Sequence, residues 1–167
     1  YVINTCSVTE NANTKCNRLI KKIRTTNPDA YIVITGCYAQ LKPTELSKNK
    51  NINLVVGSDD KINIPDIIKN KIEDSVITSK VEDISSFKVS YSTGDRVRSF
   101  IKVQDGCNYN CTFCTIPLAR GKSRSSRISE VIKLTNSLER QGFKEIVLSG
   151  INLGDFGKGS NESCYQL

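Results

Sequence analysis

Three cysteines fall within one short stretch, Asp105-Gly-Cys107-Asn-Tyr-Asn-Cys111-Thr-Phe-Cys114, in the pattern CxxxCxxC. Thiolates this close together can converge on one metal centre, because the chain between them folds around it. A structural zinc site wants four ligands, a ferredoxin cluster wants four Cys at its own spacings, and a redox dithiol needs only Cys111 and Cys114. The chain contains no His, which removes histidine as a fourth ligand and excludes Ser/His and Cys/His triads and HExxH zinc sites. Three thiolates can also hold three irons of a 4Fe–4S cluster, leaving the fourth iron open to the amino and carboxylate groups of a small molecule.

Two further cysteines share one setting. Val2-Ile-Asn-Thr-Cys6 and Ile32-Val-Ile-Thr-Gly-Cys37 are β-branched runs that each end in Cys. Between them, Glu10 to Arg24 carries Leu19, Ile20 and Ile23 at near-helical spacing and stops at Asn27-Pro28-Asp29. This predicts strand–helix–strand, the unit of a parallel sheet, in which functional groups gather at the carboxyl ends of the strands. If the two strands are neighbours, at a spacing of about 5 Å, Cys6 and Cys37 come within reach of one ligand; two buried core cysteines would give the same spacing. Thr44 to Asn49 reads as a helix and Asn53-Leu-Val-Val-Gly57 as a third strand.

Residues 69–95 are charged and Ser-rich with weak alternation, and read as a linker able to lend a strand to a neighbour. A second domain then opens with the strand Arg98 to Gln104. After the Cys-rich loop come an amphipathic helix from Ser129 to Gln141, stopped by Gly142, the strand Lys144 to Ser149, and the loop Gly150-Ile-Asn-Leu-Gly154. The expected domains are therefore 1–68, a linker at 69–95, and 96–167.

Composition narrows the class. The 167 residues are 38% hydrophobic and 25% charged, which excludes a disordered or fibrous chain. No apolar run reaches the roughly 20 residues of a membrane-spanning helix. Seven Cys at uneven spacing, with no secretory signal, point to metal or redox chemistry in a reducing compartment rather than a disulfide framework. Net charge is +7, concentrated in residues 96–167, where Arg120, Lys122, Arg124 and Arg127 crowd together; such a patch suits a polyanion. With no Met and an opening strand at Tyr1-Val2-Ile3, the sequence reads as a fragment missing residues at both ends.

CxxxCxxC after a strand resembles the radical S-adenosylmethionine (SAM) superfamily. Cys107 to Cys114 with Ile116-Pro117-Leu-Ala119-Arg-Gly121 and Gly150-Ile-Asn-Leu-Gly154, joined to Asn4-Thr-Cys6-Ser-Val8 and Thr35-Gly-Cys37-Tyr-Ala-Gln40, resembles the methylthiotransferases of that superfamily, above all those acting on threonylcarbamoyladenosine in tRNA. The resemblance implies an α/β chain: an N-terminal parallel-sheet (Rossmann-like) domain followed by the start of a radical-SAM partial (β/α) barrel. It implies a SAM-binding 4Fe–4S cluster on Cys107, Cys111 and Cys114. A second 4Fe–4S cluster, the sulfur source, is implied on Cys6 and Cys37, with its third ligand upstream of Tyr1. Phe113, Gly150 and Asn152 become SAM-contact candidates, and Arg120, Lys122 and Arg124 candidates for RNA or SAM contact. Cys16 and Cys164 have no counterpart role.

The same resemblance implies a cytoplasmic monomer reduced by flavodoxin or ferredoxin, with tRNA as substrate and no membrane partner. It implies transfer of a methylthio group to C2 of threonylcarbamoyladenosine beside the anticodon, and little turnover by the isolated fragment. Enzymes of the isopentenyladenosine or ribosomal-protein type are the nearest alternatives. A metal-stabilised nucleic-acid module without enzymatic activity, and a thiol oxidoreductase using Cys111 and Cys114, are readings of a different class.

Overall fold

A computed structural model describes the chain except residues 7–8, 71, 73, 86, 88 and 93–96. Ser7 and Val8 of the first Cys box, and parts of the expected linker, lie outside the described residues. The chain divides into two compact units, residues 1–84 with 113–120, and residues 85–112 with 121–167.

The first unit is built on a parallel sheet of four strands, β1 (Val2–Thr5), β2 (Val33–Gly36), β3 (Leu54–Val56) and β4 (Val76–Ile77), in that spatial order. β2 and β3 are buried along their whole length, as strands are when both sheet faces are covered. Ile32, Ile34 and Val55 pack with Ile3 and the α1 residues Ile20 and Ile23 of α1 (Glu10–Thr26) on one face. Val33, Leu54 and Val56 pack on the other with Ile64 and Ile67 of α4 (Ile64–Lys69). The period of two that separates the faces is the pleat itself.

Local chemistry sets the element ends. Thr9 caps α1 by accepting from Ala12 N at 3.2 Å. Arg24, in the last turn of α1, donates to Ala30 O at 2.9 Å and to Asn51 O at 2.8 Å, fixing the entry into β2. The segment expected as a linker contributes a strand at each end. β4 pairs in parallel with β3, and in the second unit β5 (Ser90–Tyr91) pairs antiparallel with β6 (Arg98–Lys102). Two short helices, α2 (Cys37–Leu41) and α3 (Pro43–Ser47), follow β2, and α5 (Ile116–Arg120) packs against α2 within the first unit.

In the second unit β6 connects through α6 (Ile128–Arg140) to β9 (Glu145–Ser149), which pairs parallel with β6. This is a β–α–β crossover, with Val131 and Leu138 of α6 packed on Ile101 and Val103. Glu130 Oε2 accepts from Ser126 Oγ at 2.8 Å at the helix start. A two-stranded ribbon, β7 (Gln104–Asp105) with β8 (Arg124–Ser125), brackets the Cys loop. The architecture is the expected α/β one, with parallel pairing in both units.

Candidate functional site

In the first unit, strand register delivers the thiols. Thr5 pairs with Gly36, so Cys6 and Cys37 are the next residues to leave two neighbouring parallel strands. Thr5 Oγ1 donates to Thr35 O at 2.6 Å across the buried sheet. Gly36 has φ +99°, and a Cβ there would run into Thr5 O and stand 2.6 Å from Asn4 Oδ1. Only glycine allows this left-handed turn with the adjacent strand so close. Cys6 is exposed and Cys37 half-buried; both are free thiols.

The rest of that box holds α2 in place. Gln40 Oε1 accepts from Ser58 N and its Nε2 donates to Ser79 O, each at 2.9 Å, tying α2 to the chain beyond β3 and β4. Tyr38 donates to Glu45 Oε1 at 2.8 Å; burial and that carboxylate push its phenol above the ordinary value. Arg120, at the end of α5, donates from Nε to Cys37 Sγ at 3.3 Å.

In the second unit, a polar network replaces register. Gln104 is fully buried. Its Oε1 accepts from Ile151 N at 2.8 Å and Asn152 N at 2.9 Å. Its Nε2 donates to Gly106 O at 2.8 Å, Asp105 O at 3.1 Å and Ser123 Oγ at 2.9 Å. One amide thereby joins the start of the Cys loop to the Gly150–Asn152 turn that ends β9.

Asp105, also buried, accepts from Lys102 Nζ at 3.0 Å and lies 3.8 Å from Arg124 Nη2. Gly106 has φ +73°, and a Cβ there would collide with Lys122 O and lie 2.7 Å from Gly121 O. Cys107 N donates to Gly121 O at 3.1 Å, Asn108 Oδ1 accepts from Ser123 N at 2.9 Å, and Tyr109 donates to Asp155 Oδ1 at 3.4 Å.

Cys111 is exposed, while Cys107 and Cys114 are half-buried, and none is in a disulfide. The division between the units falls after Thr112, so Cys107 and Cys111 belong to the second unit and Cys114 to the first. Among the described residues no three Cys, Asp or Glu side chains stand close enough together to hold one metal ion. By donor type and number the three thiols of the loop fit ligation of an iron–sulfur cluster with one open iron, a process that couples metal binding to local folding. For a second centre the described residues supply two thiols, Cys6 and Cys37.

The other candidates separate by environment. Phe113 is 89% exposed. Gly150 is exposed, and Asn152 is held through its backbone N–H. Lys122 is exposed, whereas Arg124 is half-buried between Asp105 and its bond to Lys122 O at 3.1 Å. Arg120 faces a thiol. Cys16 sits in the first unit's core, where burial pushes its thiol above the ordinary value; Cys164 is exposed.

Sequence reasoning missed Gln104 and the two Gly-Cys turns. A Gln ending an apolar strand run, and the dipeptide Gly-Cys occurring at both 36–37 and 106–107, were the available signals.

Comparison with known proteins finds matches along the chain. The model of the Radical SAM superfamily matches residues 101–155, and that of the uncharacterized protein family UPF0004 matches residues 1–57. Threonylcarbamoyladenosine tRNA methylthiotransferase MtaB of Thermotoga maritima is 42% identical over the whole of this chain and 39% of its own length. The enzyme of the same name from Aquifex aeolicus is 40% identical over the whole chain and 42% of its own length. A tRNA-2-methylthio-N(6)-dimethylallyladenosine synthase of Thermodesulfovibrio yellowstonii is 30% identical over 95% of the chain and 38% of its own length. The chain thus spans about two fifths of the curated relatives it matches.

Proposed function

The chain belongs to the radical SAM methylthiotransferase family, and from that premise we propose that its protein transfers a methylthio group to C2 of threonylcarbamoyladenosine beside the tRNA anticodon. The observation that carries the proposal is the pairing of two thiol sets in one chain: CxxxCxxC opening from β7, and Cys6 with Cys37 at neighbouring strand ends. Greater identity to the threonylcarbamoyladenosine enzymes (42% and 40%) than to the dimethylallyladenosine enzyme (30%) supports the choice of substrate.

In this proposal Cys107, Cys111 and Cys114 hold the SAM-binding 4Fe–4S cluster, and Cys6 and Cys37 are two ligands of a second. When bound, a reduced cluster supplies the electron for radical chemistry at an unactivated C–H, which no side-chain acid or base attacks. The protein's own contribution is placement. Gln104 holds Gly150–Asn152, the proposed SAM-contact turn, to the start of the Cys loop. Phe113, exposed between two proposed ligands, is a surface for the adenine. Of the basic tract, exposed Lys122 is our candidate for phosphate contact, and Arg127 of the same tract is exposed as well. A flavodoxin or ferredoxin donor, a monomeric state and a cytoplasmic location complete the proposal; among the described residues no helix is long and apolar enough to cross a membrane.

The test is electron paramagnetic resonance on anaerobically reconstituted, reduced full-length protein, with and without SAM. A 4Fe–4S signal that changes on SAM addition, and is lost in Cys111→Ala, is the expected result. Bound zinc, or a cluster indifferent to SAM in folded protein, overturns the proposal and favours a structural nucleic-acid module.

A further inference from the structure

We propose that Arg120 is a positioning residue for the Cys37 sulfur, holding and electrostatically tuning it as an iron ligand. The inference rests on the reading of Cys6 and Cys37 as ligands of a second cluster and adds the group that controls it.

The contact is a hydrogen bond from a cation to sulfur, Arg120 Nε to Cys37 Sγ at 3.3 Å, between residues 83 positions apart in sequence. Both belong to the first unit. α5 has only five residues, too few to form a helix alone. Its place is fixed by packing on α2, with Ala119 1% exposed beneath it. Cys37 is the first residue of α2, itself clamped at Gln40. The donor and the acceptor are therefore each held by packing before any metal arrives.

Cys16 of the same unit gives the contrast: it lies among apolar side chains, and burial alone acts on it. A guanidinium bond strengthens as its acceptor becomes more anionic, and a metal-bound thiolate is more anionic at sulfur than a thiol. Hydrogen bonds to ligand sulfurs raise the reduction potential of iron–sulfur clusters, and outer partners orient the ligands. Arg120 also follows Cys114 by six residues, so the segment that carries one thiol of the Cys loop delivers the cation to Cys37.

The experiment uses the full-length protein with Cys107, Cys111 and Cys114 all changed to Ala, so that only the second cluster remains, and follows its midpoint potential by a redox titration monitored by electron paramagnetic resonance. Arg120→Gln is expected to shift the midpoint to lower potential, and Arg120→Lys, which keeps the charge but not the Nε–H, to shift it less. An unchanged midpoint in Arg120→Gln, with the cluster present, overturns the proposal alone. If Arg120→Gln does not fold, Arg120→Lys decides: a lowered midpoint supports the proposal and an unchanged one overturns it. No iron in the unsubstituted Arg120 background overturns the two-cluster reading, and this proposal with it.

Discussion

The two units present their thiols by different physical means. In the first, Cys6 and Cys37 are placed by a parallel sheet whose register aligns Thr5 with Gly36 and whose strands β2 and β3 are buried, with α1 packed on one face and α4 on the other. In the second, Cys107 follows a two-residue strand and is placed by side chains: the Gln104 amide, the Asp105 carboxylate and Asn108. Backbone pairing spreads the work over many bonds, each worth about 1 kcal/mol net. A buried polar network concentrates it in a few groups, where one substitution strands several partners at once. The placement of Cys107 should therefore be much the more sensitive to a single side chain.

Gln104→Leu gives the largest expected effect. It keeps approximate volume but leaves the N–H groups of Ile151 and Asn152 and the carbonyls of Asp105 and Gly106 without this partner. At about 1–3 kcal/mol for each buried group left unsatisfied, a loss of roughly 4 kcal/mol is expected in urea unfolding. Gln104→Glu keeps the acceptor for the two N–H groups but sets a buried carboxylate oxygen against the carbonyls of Asp105 and Gly106. It should therefore be destabilising at neutral pH and recover as pH falls and the carboxyl protonates into a donor. A loss in Gln104→Glu that does not shrink at low pH would mean that polar matching does not govern this position.

The paired glycines test whether the units share anything. Each precedes its cysteine at positive φ with foreign backbone where a Cβ would stand, Thr5 O for Gly36 and Lys122 O for Gly106. Left-handed backbone costs about 1–2 kcal/mol for other residues, and overpacking adds about 1–3 kcal/mol. Gly36→Ala and Gly106→Ala should therefore each cost roughly 3 kcal/mol in chemical denaturation. In the full-length protein each should deplete iron chiefly from its own thiol set; uniform loss from both would make the two sites one folding unit.

What was legible in the sequence follows the same division. The strand–helix–strand of the first unit and the crossover of the second showed as runs and periodicity. β2 and β3, α1 and α6 lie within a few residues of where the apolar pattern put them. The Cys boxes are visible in the sequence as residue types and spacings, and the structure adds that Cys6 and Cys37 leave neighbouring parallel strands. Side-chain networks left almost no trace, since a buried Gln and a surface Gln are the same letter; only the fold puts Gln104 between two loops. In the sequence Arg120 groups with its basic neighbours as a candidate for RNA or SAM, because nothing local relates position 120 to position 37; their contact depends on α5 packing on α2. The strands at both ends of 69–95 were obscured by their charged, Ser-rich surroundings.

The smallest predicted effect separates a core cysteine from a site cysteine. Cys16 is 8% exposed, and burial raises its pKa because the apolar surroundings disfavour the thiolate. A group whose pKa is higher in the folded than in the unfolded chain contributes fully below its unfolded value and loses that contribution as pH rises through the folded one. Thermal stability should thus decline as pH climbs beyond about 8.5, where an unfolded Cys begins to ionise. Tyr38, raised by burial and Glu45, adds a decline of the same sign at higher pH. Cys16→Ala should remove the earlier part of the decline while lowering stability at neutral pH through the lost packing of one sulfur against Ile20 and its neighbours. Melting curves of Cys16→Ala and the parent between pH 7 and 10 provide the check. If the parent's decline above about pH 8.5 persists unchanged in the variant, the ionising group lies elsewhere, and Cys16 can no longer serve as the purely buried reference against which Cys37 is judged.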